Sequence, residues 1–204
     1  MQHQTTQATH YDRYPELFQQ VSNLFYNKEN KRILSFGCSY GDEVMALKDI
    51  YFRPSIIDGV DIENEVVLEA KKKAVRQANI IMDYNSFIRD EETKYDCIFA
   101  MSVFCRWEDT EYTDNCAKIY SFDEFEHGLR ILDSKLKVDG VLVIYNSNFC
   151  IEHSSIGAKY RHIPHKEAES GFVHKFNKNN EKIYNDINKM YLYNYEKAIF
   201  RKVK

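Results

Sequence analysis

Five short apolar runs separated by amphipathic segments constrain this chain more than anything else in it. Arg32–Phe36, Ile56–Val60, Ile80–Met82, Tyr95–Met101 and Val141–Tyr145 read as strands. Each is too short for a helix, and all but Tyr95–Met101 meet a Gly or Asp at one end. Between them lie stretches with apolar residues at helical spacing. Leu17, Val21, Leu24 and Phe25 fall on one face of a helix predicted over Tyr14–Tyr26, and Pro15 suits its first turn. Asp42–Tyr51 places Val44, Met45 and Leu47 inward, and Glu63–Ala78 does the same with Val66, Val67, Ala70 and Ala74. Phe122–Leu136 opens with Ser121 at the cap and Glu124 three residues on, a capping box. Asp139-Gly140 is predicted to turn into the fifth strand. Strands alternating with helices give an α/β fold, a doubly wound, mostly parallel Rossmann-like sheet. The last third is richer in β-formers over Phe172–Phe176, Lys182–Tyr184 and Met190–Val203, which predicts an antiparallel C-terminal edge. No internal repeat or low-complexity linker divides the chain, so residues 1–204 are expected to form one domain, with 1–30 a helical lid segment. The first dozen residues are polar and are expected to be loosely attached.

In such sheets, ligands bind outside the carboxyl ends of the strands. After the first strand comes Gly37-Cys38-Ser39-Tyr40-Gly41-Asp42, two glycines around a tight turn that leads into a helix N-terminus. That turn allows close backbone approach and offers free N–H groups. Asp61 ends the second strand, 24 positions past Gly37, where a carboxylate can accept from ribose hydroxyls. A dinucleotide site would carry G-x-G-x-x-G. Here Ser39 and Asp42 hold its second and third glycine positions, and a carboxylate at Asp42 opposes a pyrophosphate.

Residues 33–43 resemble the first motif of class I S-adenosylmethionine (SAM)-dependent methyltransferases. The form Gly37-Cys38-Ser39-Tyr40-Gly41-Asp42-Glu43 is similar to that of the chemotaxis receptor methyltransferases. Gly59-Val60-Asp61-Ile62 resembles the second motif, Met82-Asp83-Tyr84 the third, and Tyr95–Phe104 the fourth. The resemblance spans about Ile33 to Tyr145. It implies that Gly37, Cys38, Ser39, Gly41, Asp61, Ile62, Asp83, Tyr84, Ala100, Met101 and Ser102 hold SAM, with Asp61 on the ribose and Asp83 on the adenine amino group. Ser39 departs from the family's frequent G-x-G-x-G. The substrate of the chemotaxis enzymes, a protein glutamate, is not carried over, because only one N-terminal helix stands where they carry an extra helical domain.

The acceptor is expected between the ends of the fourth and fifth strands, beside Arg106, Trp107, Asn146 and Asn148. Arg106 next to Trp107 suits an anionic or aromatic group, and Asn146 and Asn148 could hydrogen-bond substrate. Arg13 could pair with the SAM carboxylate. His153, His162, His165 and His174 supply a possible general base, with none singled out. No metal is expected, since Pro164 breaks the helical spacing of His162 and His165 and no cysteine pair has C-x-x-C spacing.

Net charge is −3, which gives no general attraction to nucleic acid or anionic membrane. The five cysteines form no disulfide framework. The N-terminus has no signal-peptide pattern, and no apolar run reaches the ~18 residues that span a bilayer. These features predict a cytoplasmic enzyme acting on a small molecule, with a protein substrate second. The reading from another class is a catalytically silent SAM-binding or protein-interaction module on the same fold.

Overall fold

The computed structural model describes residues 3–74, 80–166, 173–183 and 197–204. It forms a seven-stranded sheet in which β1 (Arg32–Phe36), β2 (Ile56–Asp61), β3 (Ile80–Asp83), β4 (Tyr95–Met101) and β5 (Leu136–Tyr145) are parallel. The spatial order is β3-β2-β1-β4-β5-β7-β6, with β6 at Tyr160–His162 and β7 at Ile199–Lys202. β7 pairs antiparallel with both of its neighbours. The order reverses between β1 and β4, the topological switch point at which such sheets bind ligands.

Period-2 alternation sorts the strand side chains onto two faces. Ile33, Cys97 and Val141 pack on α1 (Pro15–Asn23), α2 (Asp42–Ala46) and α3 (Asn64–Ala74) through Phe18, Val44 and Ala70. Leu34, Ile98 and Leu142 face the other way, onto Phe87 of α4 (Tyr84–Arg89) and Phe125, Leu129 and Leu132 of α6 (Phe122–Lys135). The capping box of α6 is formed as expected, with Ser121 and Glu124 bonding each other's backbone.

Several boundaries differ from the sequence reading. Asp139-Gly140 is not a turn before the fifth strand. β5 runs through it, with Asp139 in the left-handed region at φ 64° and a register shift opposite Tyr95–Cys97. The helix expected over 42–51 divides into α2 and a π-helical turn at Leu47–Tyr51. The short helices α4 and α5 (Trp107–Thr110) and the strand β6 were not anticipated. Of the expected C-terminal β segments, β7 and a bridge between Phe176 and Lys182 are seen. The remainder, within 167–172 and 184–196, lies outside the described residues, as does the predicted end of α3 past Ala74.

Residues 3–14 are attached, contrary to expectation. His3 is 5% exposed and inserts between the rings of Phe104 and Tyr120, bonding Tyr120 Oη at 2.9 Å. From there the segment crosses the carboxyl ends of the central strands and enters α1.

Candidate cofactor and acceptor site

A cavity of about 420 Å³ opens at the carboxyl ends of β1, β2 and β4, within the size range of small-ligand pockets. Its floor is the turn after β1. Gly37 N and Cys38 N both donate to Val60 O, at 2.8 and 2.9 Å, which locks this turn to β2. Gly37 has φ 77°, and a Cβ there would sit 2.5 Å from Val103 Cγ2, so only glycine fits. Ser39 also lies in the left-handed region, at φ 48°. A serine holds that conformation because Ser39 N donates to Asp61 Oδ2 at 2.8 Å and its hydroxyl donates to Gln7 O at 3.2 Å.

Asp61 lines the cavity with Ile62 and Tyr84. Its second oxygen, Oδ1, accepts from Glu63 N at 3.1 Å. Each carboxylate oxygen has two lone-pair sites. One per oxygen is taken by backbone, leaving one on each for two adjacent hydroxyl donors.

Glu43 was not singled out in the sequence, yet it is a carboxylate that reaches the cavity wall. Ser35 Oγ donates to its Oε1 at 2.8 Å. Burial pushes its carboxyl up to about 7, against the pull of the Ser35 hydroxyl and the Arg13 charge. Asp42, by contrast, pairs with Lys73 of α3 at 2.7 Å and does not line the cavity, so the obstacle to a pyrophosphate is Glu43 and not Asp42. The signal for Glu43 was its place in the first turn of the helix after the glycine turn, on the same side as Ser35.

The opposite wall is built from Tyr14, Phe18, Met101 and Ser102. Tyr14 Oη lies 2.7 Å from Ser102 Oγ, to which Asn146 Nδ2 also donates at 2.8 Å. Trp107, Arg13, His3 and His10 also line the cavity. Arg13 is held against its own segment by a bond to Ala8 O at 2.6 Å.

Of the residues expected to hold cofactor, Gly37, Cys38, Ser39, Asp61, Ile62, Tyr84, Met101 and Ser102 line this cavity. Gly41, Asp83 and Ala100 do not. Gly41 has φ 83° and caps α2, while Ala100 is fully buried in the sheet. Asp83 accepts from Ser86 Oγ at 2.7 Å and Ser86 N at 3.0 Å as the N-cap of α4, and those bonds hold its carboxyl below the usual range. Of the expected acceptor residues, Trp107 lines the cavity and Asn146 adjoins it through Ser102. Asn148 is fully buried elsewhere, accepting from Arg106 N at 2.7 Å and donating to His174 O at 2.8 Å. Arg106 does not line the cavity, and lies 4.0 Å from Asp109. None of His153, His162, His165 and His174 lines it either. His165 is used structurally, accepting from Ala198 N at 2.9 Å.

A glycine turn, a strand-end carboxylate and a cavity at the switch point define a Rossmann-like domain that binds a nucleoside-containing ligand. Comparison with known families narrows this. Residues 8–177 match the family described as methyltransferase domain, and the chain belongs to that family. It is a SAM-dependent methyltransferase domain. No curated protein matches the chain. Among solved structures it is similar to PKMT2 from Rickettsia typhi in complex with AdoHcy, at 22% identity and TM-score 0.47 over 64% of this chain and 24% of that one. It is also similar to YJHP from E. coli, at 14% identity and TM-score 0.49, covering 79% and 71% of the two chains. Magnesium protoporphyrin IX methyltransferase (ChlM) from Synechocystis PCC 6803, with bound SAH, is similar at 18% identity and TM-score 0.45, covering 62% and 53%. The match thus spans about a quarter of the length of PKMT2.

Proposed function

We propose that this chain transfers a methyl group from SAM to a small-molecule acceptor by in-line displacement. The observation that carries the reading is Asp61, which lines the cavity and whose two oxygens each accept one backbone amide, leaving acceptor capacity on both. SAM fits this donor and acceptor set. Asp61 would take the ribose hydroxyls, Ile62 and Tyr84 would flank the base, and Glu43 would meet the ammonium of the methionine portion. When bound, SAM supplies a methyl group on a sulfonium, so the reaction needs no covalent enzyme intermediate. The protein's part is to hold the nucleophile at about 3–3.5 Å from the methyl carbon and to exclude water.

The acceptor is read as a small molecule because the cavity, about 420 Å³ and lined on one side by the N-terminal segment through His3, Gln7, His10 and Tyr14, has the size of a small-ligand pocket. The narrower likeness to chemotaxis enzymes rests on the first motif, and nothing in the cavity favours a protein glutamate. We read the chain as one domain, since both apolar clusters pack on the two faces of one sheet. Among the described residues no helix is long and apolar enough to cross a membrane, and none of the five cysteines forms a disulfide. Free thiols suit a reducing compartment, and the cytoplasm is the proposed one.

Isothermal titration should show saturable SAM and S-adenosylhomocysteine binding and no NADH binding. Release of S-adenosylhomocysteine with an acceptor separates the enzyme from a silent SAM-binding module. Heat with NADH alone would sink the reading.

A further inference from the structure

The ends of β4 and β5 carry a matched pair of unusual residues. Ser102 and Asn146 both adopt left-handed backbone, at φ 57° and 54°, though neither is glycine. Such conformations persist only where the surroundings hold them, and they gather at ligand sites. Here the strained ends bring both side chains to one point, with Asn146 Nδ2 2.8 Å from Ser102 Oγ. Tyr14 Oη reaches the same oxygen at 2.7 Å from the segment that covers the cavity. The Tyr14 ring is set edge-on against Tyr145, 5.2 Å between centroids.

The hydrogen-bond inventory of this cluster does not balance. Asn146 is 2% exposed, and its Oδ1 is buried without a partner. Ser102 Oγ takes the amide proton of Asn146, and a single hydroxyl proton serves the contact between Ser102 and Tyr14. Three oxygens therefore gather with acceptor capacity in excess, and two of their residues, Tyr14 and Ser102, line the cavity. The nearby cation is Arg13, whose guanidinium lies over the Tyr14 ring at 5.2 Å from its centroid. One of the two hydroxyls keeps its proton, but acceptor sites outnumber it, and a ligand group that donates an N–H meets them.

We infer that Tyr14 and Ser102, with Asn146 fixing Ser102 from behind, bind the reacting nitrogen of a primary or secondary amine. The inference rests on the methyl-transfer reading above and specifies its acceptor. An N–H donated to Tyr14 Oη or Ser102 Oγ leaves the nitrogen lone pair free to attack. The lone pair forms the new N–C bond. The C–S bond breaks with its electron pair going to sulfur, which becomes a neutral thioether. The methylated ammonium then loses its proton to water. A neutral amine needs no base for this. A hydroxyl acceptor would, and none of the three groups is one, since Ser102 and Asn146 do not titrate and burial raises the Tyr14 phenol above its ordinary value; Glu43, the carboxylate on the cavity wall, is given to the SAM ammonium in the reading above.

The test uses the full chain with SAM and four pools of small molecules, bearing respectively amines, hydroxyls only, carboxylates only and thiols only. Mass spectrometry reads S-adenosylhomocysteine and the methylated product, and calorimetry reads SAM binding. The expected result is product from the amine pool alone. Tyr14→Phe, which keeps the ring, should then lower turnover about tenfold or more with SAM affinity within about twofold. Ser102→Ala should act in the same direction. Product from a pool without amines, no product from any pool while SAM binds, or full turnover by Tyr14→Phe overturns the inference. Failure of the wild-type chain to bind SAM overturns instead the methyl-transfer reading on which it rests.

Discussion

Asp61→Ala tests the cofactor assignment and the local architecture together, and the two effects can be separated. In the native chain each oxygen accepts one backbone N–H, from Ser39 at 2.8 Å and Glu63 at 3.1 Å. The remaining lone pairs are assigned to the ribose. Losing that charge-assisted contact should cost about 1.5–3 kcal/mol of SAM binding, a rise in Kd of roughly tenfold to 150-fold at about 1.4 kcal/mol per decade. The substitution also strands the Ser39 N–H in a residue only 6% exposed. An unsatisfied buried donor costs about 1–3 kcal/mol, which in a domain of this size lowers Tm by roughly 2–12 °C. Asp61→Asn separates the terms. Its carbonyl oxygen can keep the Ser39 bond, so Tm should recover most of the loss, while the amide offers the ribose one acceptor fewer and affinity stays low. Calorimetry gives Kd and differential scanning fluorimetry gives Tm. If the folded Ala variant bound SAM within about twofold of wild type, the ribose would lie elsewhere.

Glu43 should make SAM binding depend on pH. Its carboxyl is pushed up to about 7, so the anion that would pair with the ammonium forms between pH 6 and 8, and affinity should rise over that range. Glu43→Gln should flatten the curve, and a profile unchanged by the substitution would remove Glu43 from the cofactor. The stability of the ligand-free protein should move the opposite way. A folded-state pKa above the ordinary 4.5 means the unfolded chain ionises first, so stability falls as pH rises from about 4.5 to about 7. The Gln variant should lose that slope, read from Tm against pH. Gly128→Ala should loosen the N-terminal segment, because the added Cβ would stand 2.6 Å from His3 Nε2 and 2.8 Å from Phe104. Tryptic cleavage after Arg13 should accelerate, and unchanged cleavage would show that His3 is not the anchor. Asn148→Ala should lower Tm by roughly 2–12 °C by removing partners from Arg106 N and His174 O, and an unaltered Tm would contradict its structural role.

The sheet was legible because its signal is redundant. Each of the first five strands had a short apolar run, four of them met a Gly or Asp at one end, and helical patterns separated all but the third and fourth; the two-faced packing of Ile33 and Leu34 follows from the period-2 alternation within a strand. Asp61, expected on the ribose from its place at a strand end, does line the cavity, with each oxygen accepting one backbone amide. Asp83 sits at the corresponding end of β3, yet its carboxylate caps α4 through Ser86, a competition that only the three-residue spacing from Asp83 to Ser86 hinted at. Asn148 misled in the same manner. A polar triplet after a strand suggests a substrate contact, but its middle and last members turn inward, and burial forces Asn148 to bond with backbone at Arg106 and His174.

The N-terminal segment shows where pattern reading has no purchase. His3-Gln4-Thr5-Thr6-Gln7 has no periodicity and little apolar surface, so nothing local specifies its position. Its attachment is tertiary. His3 fills a socket between Phe104 and Tyr120 that exists only because position 128 of α6 is glycine. Burial lowers the His3 imidazole to about 4, so it sits there uncharged at neutral pH and the socket needs no counter-ion. Gln4 then bonds Cys105 Sγ at 3.1 Å, and Gln7 O receives the Ser39 hydroxyl. Ser39 belongs to the glycine turn, and Tyr14, at the far end of the same segment, belongs to the cluster on Ser102. One extended segment thus touches both the cofactor loop and the proposed acceptor cluster. Entry of either ligand should therefore be felt at the other through residues 4–14, and a mutation that frees His3 should weaken SAM binding and turnover together, without touching either directly.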